Sequence, residues 1–261
     1  MLAISLQSGS NGNCTYVEAG GTDSKPALRL LVDAGISGKR ASQRLASHGR
    51  DMRNVDALLI THDHGDHVRS MGVYHRKFGL NIHITRRTYR TACKRCSLGN
   101  IAEVTHFKAG QDLIFKDVTV ETIPTPHDGV DGVVFVIDDG HSRLGILTDL
   151  GHNFDGLAEI IASLDAVLLE SNYDTEMLAS GPYPTFVKER IRGPGGHICN
   201  IEAAELLKAA AGKRMKWAAL AHLSQANNDP QLALSTHRSI VGDRLPIHLT
   251  SRYAATGVFR V

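Results

Sequence analysis

Val55-Asp56-Ala57-Leu58-Leu59-Ile60-Thr61-His62-Asp63-His64-Gly65-Asp66-His67 is the stretch on which the reading of this chain turns. Its first six residues make a short apolar run of the kind a buried strand shows. Its last seven hold three imidazoles and two carboxylates, and a helical pattern from His67 to Phe78 follows. The polar cluster therefore falls on a strand-to-helix loop, where side chains two residues apart can turn toward one point. Imidazole offers a neutral nitrogen and carboxylate an anionic oxygen, a donor set that suits two divalent cations of the zinc, manganese or iron type. A structural zinc site closes its shell with four ligands, usually with Cys among them. This Cys-free, oxygen-bearing cluster has the composition of a catalytic site.

The chain has 261 residues, 42% hydrophobic and 21% charged, which suffices for one sizeable core and is read as a single domain over 1–261. A formal charge of +2 permits a phosphate-bearing substrate without requiring one. No apolar run reaches membrane-spanning length, and Met1-Leu2-Ala3-Ile4-Ser5 lacks the charged start and apolar core of a signal peptide. The expectation is a soluble cytoplasmic protein with no membrane partner. Cys93-Lys94-Arg95-Cys96 is a lone CxxC with no second pair, so Cys14, Cys93, Cys96 and Cys199 read as ordinary thiols in a reducing compartment. Oligomeric state is left open.

Short strands are expected at Leu2 to Leu6, Cys14 to Glu18, Leu28 to Asp33 and Ala57 to Ile60, with Asn11-Gly12 as a hairpin turn between the first two. Helical patterns cover Gly38 to His48, His67 to Phe78 and Arg86 to Cys96. Strands return at Asp112 to Phe115, Val118 to Pro124, Gly132 to Asp138 and Arg143 to Leu147. A helix near Phe154 to Ser163, a strand at Ala166 to Leu169, a helix at Ile201 to Ala211 and a strand at Trp217 to Ala221 follow. A helix near Gln231 to Ile240 and two closing strands complete the chain. Strands in two groups with helices between them suggest an α/β fold of two sheets between helical layers.

The remaining candidate residues fall at strand ends. Asp33 ends Leu28-Arg29-Leu30-Leu31-Val32, His127 follows Pro124-Thr125-Pro126, Asp149 follows Leu144-Gly145-Ile146-Leu147-Thr148, and His222 follows Trp217-Ala218-Ala219-Leu220-Ala221. Four strands would thus deliver side chains to one rim, a common way for a rigid scaffold to place reactive groups. Taken singly, an Asp at a strand end is more often a turn former or a helix cap, as Asp66 would be for the helix starting near His67.

This set resembles the metallo-β-lactamase superfamily over nearly the whole chain, through the HxHxDH motif at His62 to His67 and the residues from Asp33 to His222. The resemblance implies a four-layer αββα sandwich. It implies that His62, His64 and His127 hold one divalent metal ion, that Asp66, His67 and His222 hold a second, and that Asp149 bridges the two. Zinc or manganese is expected, with iron also compatible. Asp33 matches the early acidic residue that orients the ligating histidines from behind. His197 and His248 are rivals for the last position, and the Ala221-His222-Leu223-Ser224 context favours His222.

Local motifs discriminate among branches of such a fold. Classical β-lactamases lack the counterpart of Asp66 and often carry Cys at the position of Asp149. The tail after His222 is too short for the helical domain of glyoxalase-type thioesterases, and the interval from Asp149 to His222 has no room for an inserted cap domain. Gly196-His197-Ile198-Cys199-Asn200 looks like the helix-opening segment of tRNA-maturing endonucleases, but His127 and Asp149 are too close for a tRNA-gripping arm. The chain is most similar to short bacterial DNA exonucleases of the fold, through Ser8-Gly9-Ser10-Asn11-Gly12-Asn13-Cys14, Thr148-Asp149-Leu150-Gly151, Glu170-Ser171-Asn172-Tyr173-Asp174, His222-Leu223-Ser224 and Asn227-Asn228.

What that similarity implies is hydrolysis of DNA from 5′ ends, DNA being favoured over RNA, by water activated between two metal ions. The alternative is a small-molecule hydrolase acting on a cyclic phosphodiester, lactone or thioester. Asp66, His197 and Glu170 are the candidate catalytic residues. His197, oriented by Glu170, is a general acid for the leaving oxygen, a phosphate ligand or a helix cap. Tyr173 would stack a terminal base or pack in the core. Three basic runs, Arg86-Arg87 with Arg90, Lys94 and Arg95, then Lys188, Arg190 and Arg192, then Lys213, Arg214 and Lys216, are solvated faces unless one of them tracks phosphates.

Overall fold

In the computed structural model, which describes residues 1–21 and 26–261, the apolar runs become strands with both faces covered. Among the described residues two seven-stranded sheets form. The first contains β1 (Leu2–Gln7), β2 (Cys14–Ala19), β3 (Leu28–Val32), β4 (Ala57–Leu59), β5 (Ile82–Thr85) and β6 (Val104–Phe107). The second contains β7 (Leu113–Phe115), β8 (Val118–Pro124), β9 (Val133–Asp138), β10 (Arg143–Leu147), β11 (Ala166–Glu170), β12 (Trp217–Ala221) and β13 (Ile247–Leu249). The last strand, β14 (Phe259–Arg260), returns to pair with β1 at the edge of the first sheet.

Three apolar layers hold these sheets. In β3, Leu28, Leu30 and Val32 face the opposite sheet, while Leu31 faces helices on the outside. In β9, Val133, Phe135 and Ile137 fill the space between sheets, and Val134 and Val136 turn outward. The period-2 alternation of side chains thus serves two hydrophobic interfaces at once, so these strands read as unbroken apolar runs. Outside the first sheet lie α1 (Gly38–Ala46), α2 (Gly65–Val68), α3 (Met71–Phe78) and α4 (Arg86–Arg95); Ala41, Leu45, Met71, Tyr74 and Ala92 pack against it. The outer face of the second sheet is covered by α5 (Leu157–Ala162), α8 (Asn200–Ala210) and α9 (Pro230–Val241), with α6 (Thr175–Ser180) and α7 (Thr185–Arg192) nearby in sequence. The result is the expected four-layer αββα sandwich. No described helix is long and apolar enough to cross a membrane.

Three departures have clear causes. The helix expected from His67 to Phe78 is two helices, because the carbonyls that would continue it are used elsewhere. Asp66 O accepts from Asn13 N (2.8 Å) and His67 O from Ala34 N (2.7 Å), while Ser70 N donates to Ala34 O (2.9 Å). Strands β5 and β6 went unread because Ile82-His83-Ile84-Thr85 and Val104-Thr105-His106-Phe107 are short and half polar. Helices α6 and α7 were missed for a related reason: α7 buries no residue and so has no apolar stripe to betray it.

His237 is buried in α9 with Nδ1 on Ala233 O (2.9 Å), and burial pushes its pKa down to about 4. A depressed folded-state value means that its contribution to stability is complete above the unfolded value near 6.5 and is lost as pH falls toward 4. Relative to a His237→Gln variant, the protein should lose about 3 kcal/mol of stability across that window, as measured by denaturant unfolding at pH 7 and pH 4.

Candidate metal centre

Parallel strands from both sheets run toward one rim. In the first, β3, β4 and β5 are parallel, and Asp33 and His62 lie just past β3 and β4. In the second, β10, β11 and β12 are parallel, and their ends carry Asp149, Glu170 and His222. Asp33, Asp149 and His222 all adopt left-handed backbone conformations, with φ of 65°, 61° and 56°. Residues with a Cβ avoid this region at a cost of roughly 1–3 kcal/mol each, and such strain persists where surrounding structure enforces it. For His222 the enforcing contact is its own N–H, which donates to Ser8 Oγ at 2.8 Å.

The protonation pattern of the histidines follows from their partners. Asp33, acceptor only, takes Thr61 N (2.9 Å) and the Thr61 hydroxyl, and its Oδ2 accepts from His67 Nδ1 at 2.7 Å. With its proton on Asp33, Thr61 Oγ1 accepts from His62 Nδ1 (3.0 Å), leaving His62 Nε2 as a bare lone pair. Burial, reinforced by His67, His64 and His127, holds the His62 pKa well below its usual value, so this ring is neutral. His127 Nδ1 donates to Gly196 O at 2.7 Å, which turns its Nε2 to within 3.2 Å of His64 Nδ1.

The opposite pull acts a few ångströms away. Burial opposes charge on His67, but Asp33, Asp149 and Asp66 outweigh it and raise its pKa well above normal. His222 is buried too, yet Asp149, Asp66 and Glu170 push its pKa up to about 10. Burial would raise Asp66 and Asp149, but neighbouring histidines, His67 foremost for Asp66 and His222 for Asp149, hold both carboxyls low. Asp149 stands between the two groups, with Oδ2 3.4 Å from His67 Nε2 and Oδ1 3.5 Å from His222 Nδ1 and 3.8 Å from His127 Nε2. Asp66 Oδ2 is 3.5 Å from both His67 Nε2 and His222 Nε2.

Among the described residues, His62 Nε2, both Asp149 carboxylate oxygens and His222 Nε2 are buried without any hydrogen-bond partner. Orphaned atoms of this kind are rare in native proteins, and a concentration of them calls for an ion or ligand. Imidazole nitrogen and carboxylate oxygen are donors that divalent cations take, with the proton on His222 displaced when one binds. Ligand atoms of His62, His64 and His127 lie within 4.8 Å of one another, as do those of Asp66, His67 and His222, and those of His62, His67 and Asp149. The structure thus brings together the seven residues expected as ligands.

Glu170, also buried, differs from Asp149. Its Oε1 accepts from His197 Nδ1 at 2.6 Å, and its Oε2 accepts from Leu150 N (3.0 Å) and Ile198 N (3.4 Å). Although Glu170, His197, His222 and Asp149 also approach within metal-binding distance of each other, the Glu170 oxygens are already satisfied. Burial would raise its pKa; the His197 contact outweighs that and keeps it ionised. His197 does not cap α8: Cys199 does, exchanging hydrogen bonds with Glu202. Asp66 likewise sits inside the first turn of α2, whose N-cap is His64. His64, Asp66, Asp149, Arg190, His197 and His222 line a cavity of about 510 Å³.

At other positions the structure sorts the alternatives left open. His248 lies on β13, exposed, against Trp217 and Phe259, away from the cluster. Tyr173 is buried with Leu178 and Cys199 and so belongs to the core. Cys93 and Cys96 join no cluster of ligand atoms among the described residues. Lys213, Arg214 and Lys216 precede β12, at the end of the sheet opposite the rim, and Arg214 pairs with Asp165 (2.8 Å). Only Arg95 and Arg190 from the basic runs line the cavity, and they pair with Asp63 and Asp128. Sequence reading missed Asp128, whose Oδ1 is 3.2 Å from His64 Nε2, although its place beside His127 was a signal. It also missed Asn13, donating to Asp66 Oδ2 (3.3 Å), and Asn172, whose Nδ2 lies 3.1 Å from His222 Nδ1. Both lie in motifs quoted for the resemblance, without a role attached.

A four-layer αββα sandwich with histidines and aspartates gathered at one rim is metallo-β-lactamase architecture, and the chain belongs to that superfamily: the Beta-lactamase superfamily domain matches residues 28–221. Among individual relatives, it is 36% identical over 233 residues to Exodeoxyribonuclease WalJ of Streptococcus pneumoniae, covering 88% of this chain and 84% of that protein. It is 34% identical over 254 residues to Exodeoxyribonuclease YycJ of Bacillus anthracis, covering 94% and 93%. The crystal structure of the metallo-beta-lactamase fold protein YhfI from Bacillus subtilis superposes with a TM-score of 0.72 over 99% of this chain and 98% of that one, at 16% identity, and so supports the fold.

Gly35 shows how tightly the rim is built, since a Cβ there would lie 1.5 Å from Asp66 O and 2.6 Å from Asn13 N. Gly35→Ala must push the α2 loop away from β3. It should cost about 1–3 kcal/mol in stability and lower divalent-metal content, read by thermal melting and elemental analysis of the purified protein.

Proposed function

We propose that this chain is a metal-dependent exodeoxyribonuclease that hydrolyses phosphodiester bonds at DNA ends, working from the 5′ end. The observation that carries this reading is the set of bare, buried ligand atoms on His62, Asp149 and His222, the last two of which line an open cavity. The 34% and 36% identity to two exodeoxyribonucleases over most of the chain supports the substrate class. His62, His64 and His127 would hold one divalent ion and Asp66, His67 and His222 a second, with Asp149 shared between them; zinc or manganese fits the donors best, and iron is compatible. When bound, such ions supply a deprotonated water at neutral pH and neutralise charge building on the phosphoryl oxygens.

The protein's own part is positioning and proton supply. Asp33 and Thr61 fix the orientations of His67 and His62 from behind. Glu170 accepts the Nδ1 proton of His197, so Nε2 is the nitrogen from which a proton can pass to the leaving oxygen of the DNA. Because the carboxylate is fixed by two backbone N–H groups, the imidazole has one orientation at the cavity wall.

End-labelled duplex DNA with added manganese or zinc should lose nucleotides progressively, and chelation should stop the reaction. Asp149→Ala or Asp66→Ala should abolish turnover while the circular dichroism spectrum is retained. Hydrolysis of bis-p-nitrophenyl phosphate with none of DNA would overturn the nuclease reading in favour of a small-molecule phosphodiesterase. His197→Gln should lower kcat by roughly 10²–10⁴-fold with KM little changed, if it is the general acid.

A further inference from the structure

A second cavity, of about 240 Å³, adjoins the metal centre, and Ser224 lines both. It lies where the turn after β1, the loop after β12 and the loop after β13 meet. Ser8 N donates to Ser251 O (3.0 Å), Asn11 Nδ2 to Arg252 O (3.3 Å) and Thr250 Oγ1 to Leu220 O (2.9 Å), so these three segments are tied together.

The lining of this cavity includes Arg252 and the serines Ser8, Ser224 and Ser251. Among the described residues, Arg252 Nε and Nη1 are buried without a hydrogen-bond partner, and no carboxylate pairs with the guanidinium. Its Cζ lies 5.8 Å from the centroid of the Tyr253 ring. Three serine hydroxyls in the lining are used as acceptors. Ser8 Oγ takes His222 N (2.8 Å), Ser224 Oγ takes Asn227 N (3.3 Å), and Ser251 Oγ takes Tyr253 N (3.0 Å) and Ala254 N (3.2 Å). Each therefore keeps its own O–H free to point at a ligand. Asp229 is the carboxylate in the lining, and its Oδ1 is engaged by Gln231 N (2.8 Å) and Leu232 N (3.1 Å) at the start of α9.

A desolvated guanidinium with unused N–H groups beside free hydroxyls is a site for a multivalent oxyanion, because Arg matches phosphate geometry with two parallel bonds. The geometry points to this cavity as a phosphate subsite for the DNA strand, with Arg252 as its main contact and Ser8, Ser224 and Ser251 completing it; this rests on the nuclease reading above. Ser8 links the two sites physically, since the hydroxyl that faces the subsite also holds the backbone of His222. The phosphate is either the terminal monoester of the strand or an internal diester next to the bond being cut.

The test compares the protein with Arg252→Met on oligonucleotides carrying a 5′-phosphate or a 5′-hydroxyl. Anisotropy binding to fluorescent single strands in chelator gives a readout independent of turnover. If the subsite takes phosphate, Arg252→Met should weaken binding roughly tenfold and make the slope of log K against log salt shallower by about 0.7. A loss confined to 5′-phosphorylated strands identifies the terminal group, and an equal loss on both identifies the internal diester, with KM rather than kcat carrying the defect in degradation. Arg252→Lys, which keeps the charge without the two-pronged geometry, should recover part of the affinity and guards against a folding defect in the methionine variant. Wild-type affinity and KM for Arg252→Met on both strands, with DNA still degraded, would overturn the subsite and leave the nuclease reading standing. Failure of the wild-type protein to bind or degrade DNA at all would remove that reading, and the subsite with it.

Discussion

Buried polar atoms must find partners or destabilise the fold, and everything at this rim follows from atoms that have none. Leaving such a group unpaired costs roughly 1–3 kcal/mol, and Asp149 alone has two bare oxygens. The surrounding sandwich tolerates this because its three apolar layers are continuous from Ile4 and Leu31 through Phe135 and Ile146 to Leu169 and Leu220. The same rigidity holds Asp33, Asp149 and His222 in left-handed backbone conformations that a softer scaffold would relax. Strain and unmet polarity coincide at the ends of parallel strands, where a ligand can offset both.

Within that rim, identical chemical groups acquire different roles from their hydrogen bonds. Asp33, Asp149 and Glu170 are all buried carboxylates. Asp33 is saturated by Thr61 and His67, so it orients; Glu170 is saturated by two backbone N–H groups and His197, so it orients a different ring; Asp149 is left bare, so it can bind. The histidines sort in parallel. His62 and His127 have their Nδ1 positions spent on Thr61 and Gly196, which commits their other nitrogens to the centre.

Much of this was legible in the sequence, because strands covered on both faces read as apolar runs and the candidate ligands stand where those runs stop. The HxHxDH loop and the residues Asp33, Asp149 and His222 are visible by that rule alone. What was not legible shares a cause: residue types with ordinary uses elsewhere. Asn13, Asn172 and Ser8 sit in loops beside strands, where such residues are common, and nothing in a linear pattern separates a turn former from one that touches a ligand candidate. Charge runs carry little information about position. Lys213, Arg214 and Lys216 are neighbours in sequence but lie at the wrong end of β12, whereas Arg252 stands alone in the chain and lies beside the rim.

The placement of arginines also bears on how a strand would lie across the centre. Among the described residues lining the two cavities, Arg95 is paired with Asp63 and Arg190 with Asp128, so each contributes a local dipole more than a net charge. Arg252 has no such partner. The attraction for phosphate is therefore concentrated on the side of β13 and the β1–β2 turn, although the whole chain carries a formal charge of only +2. A polyanion crossing the rim meets ion-paired arginines at Arg95 and Arg190 and, at Arg252, one without an ion pair whose cavity also holds Asp229. A field of that kind biases the side of the centre on which a strand's phosphates lie before any base is touched, because base edges play no part in a phosphate contact.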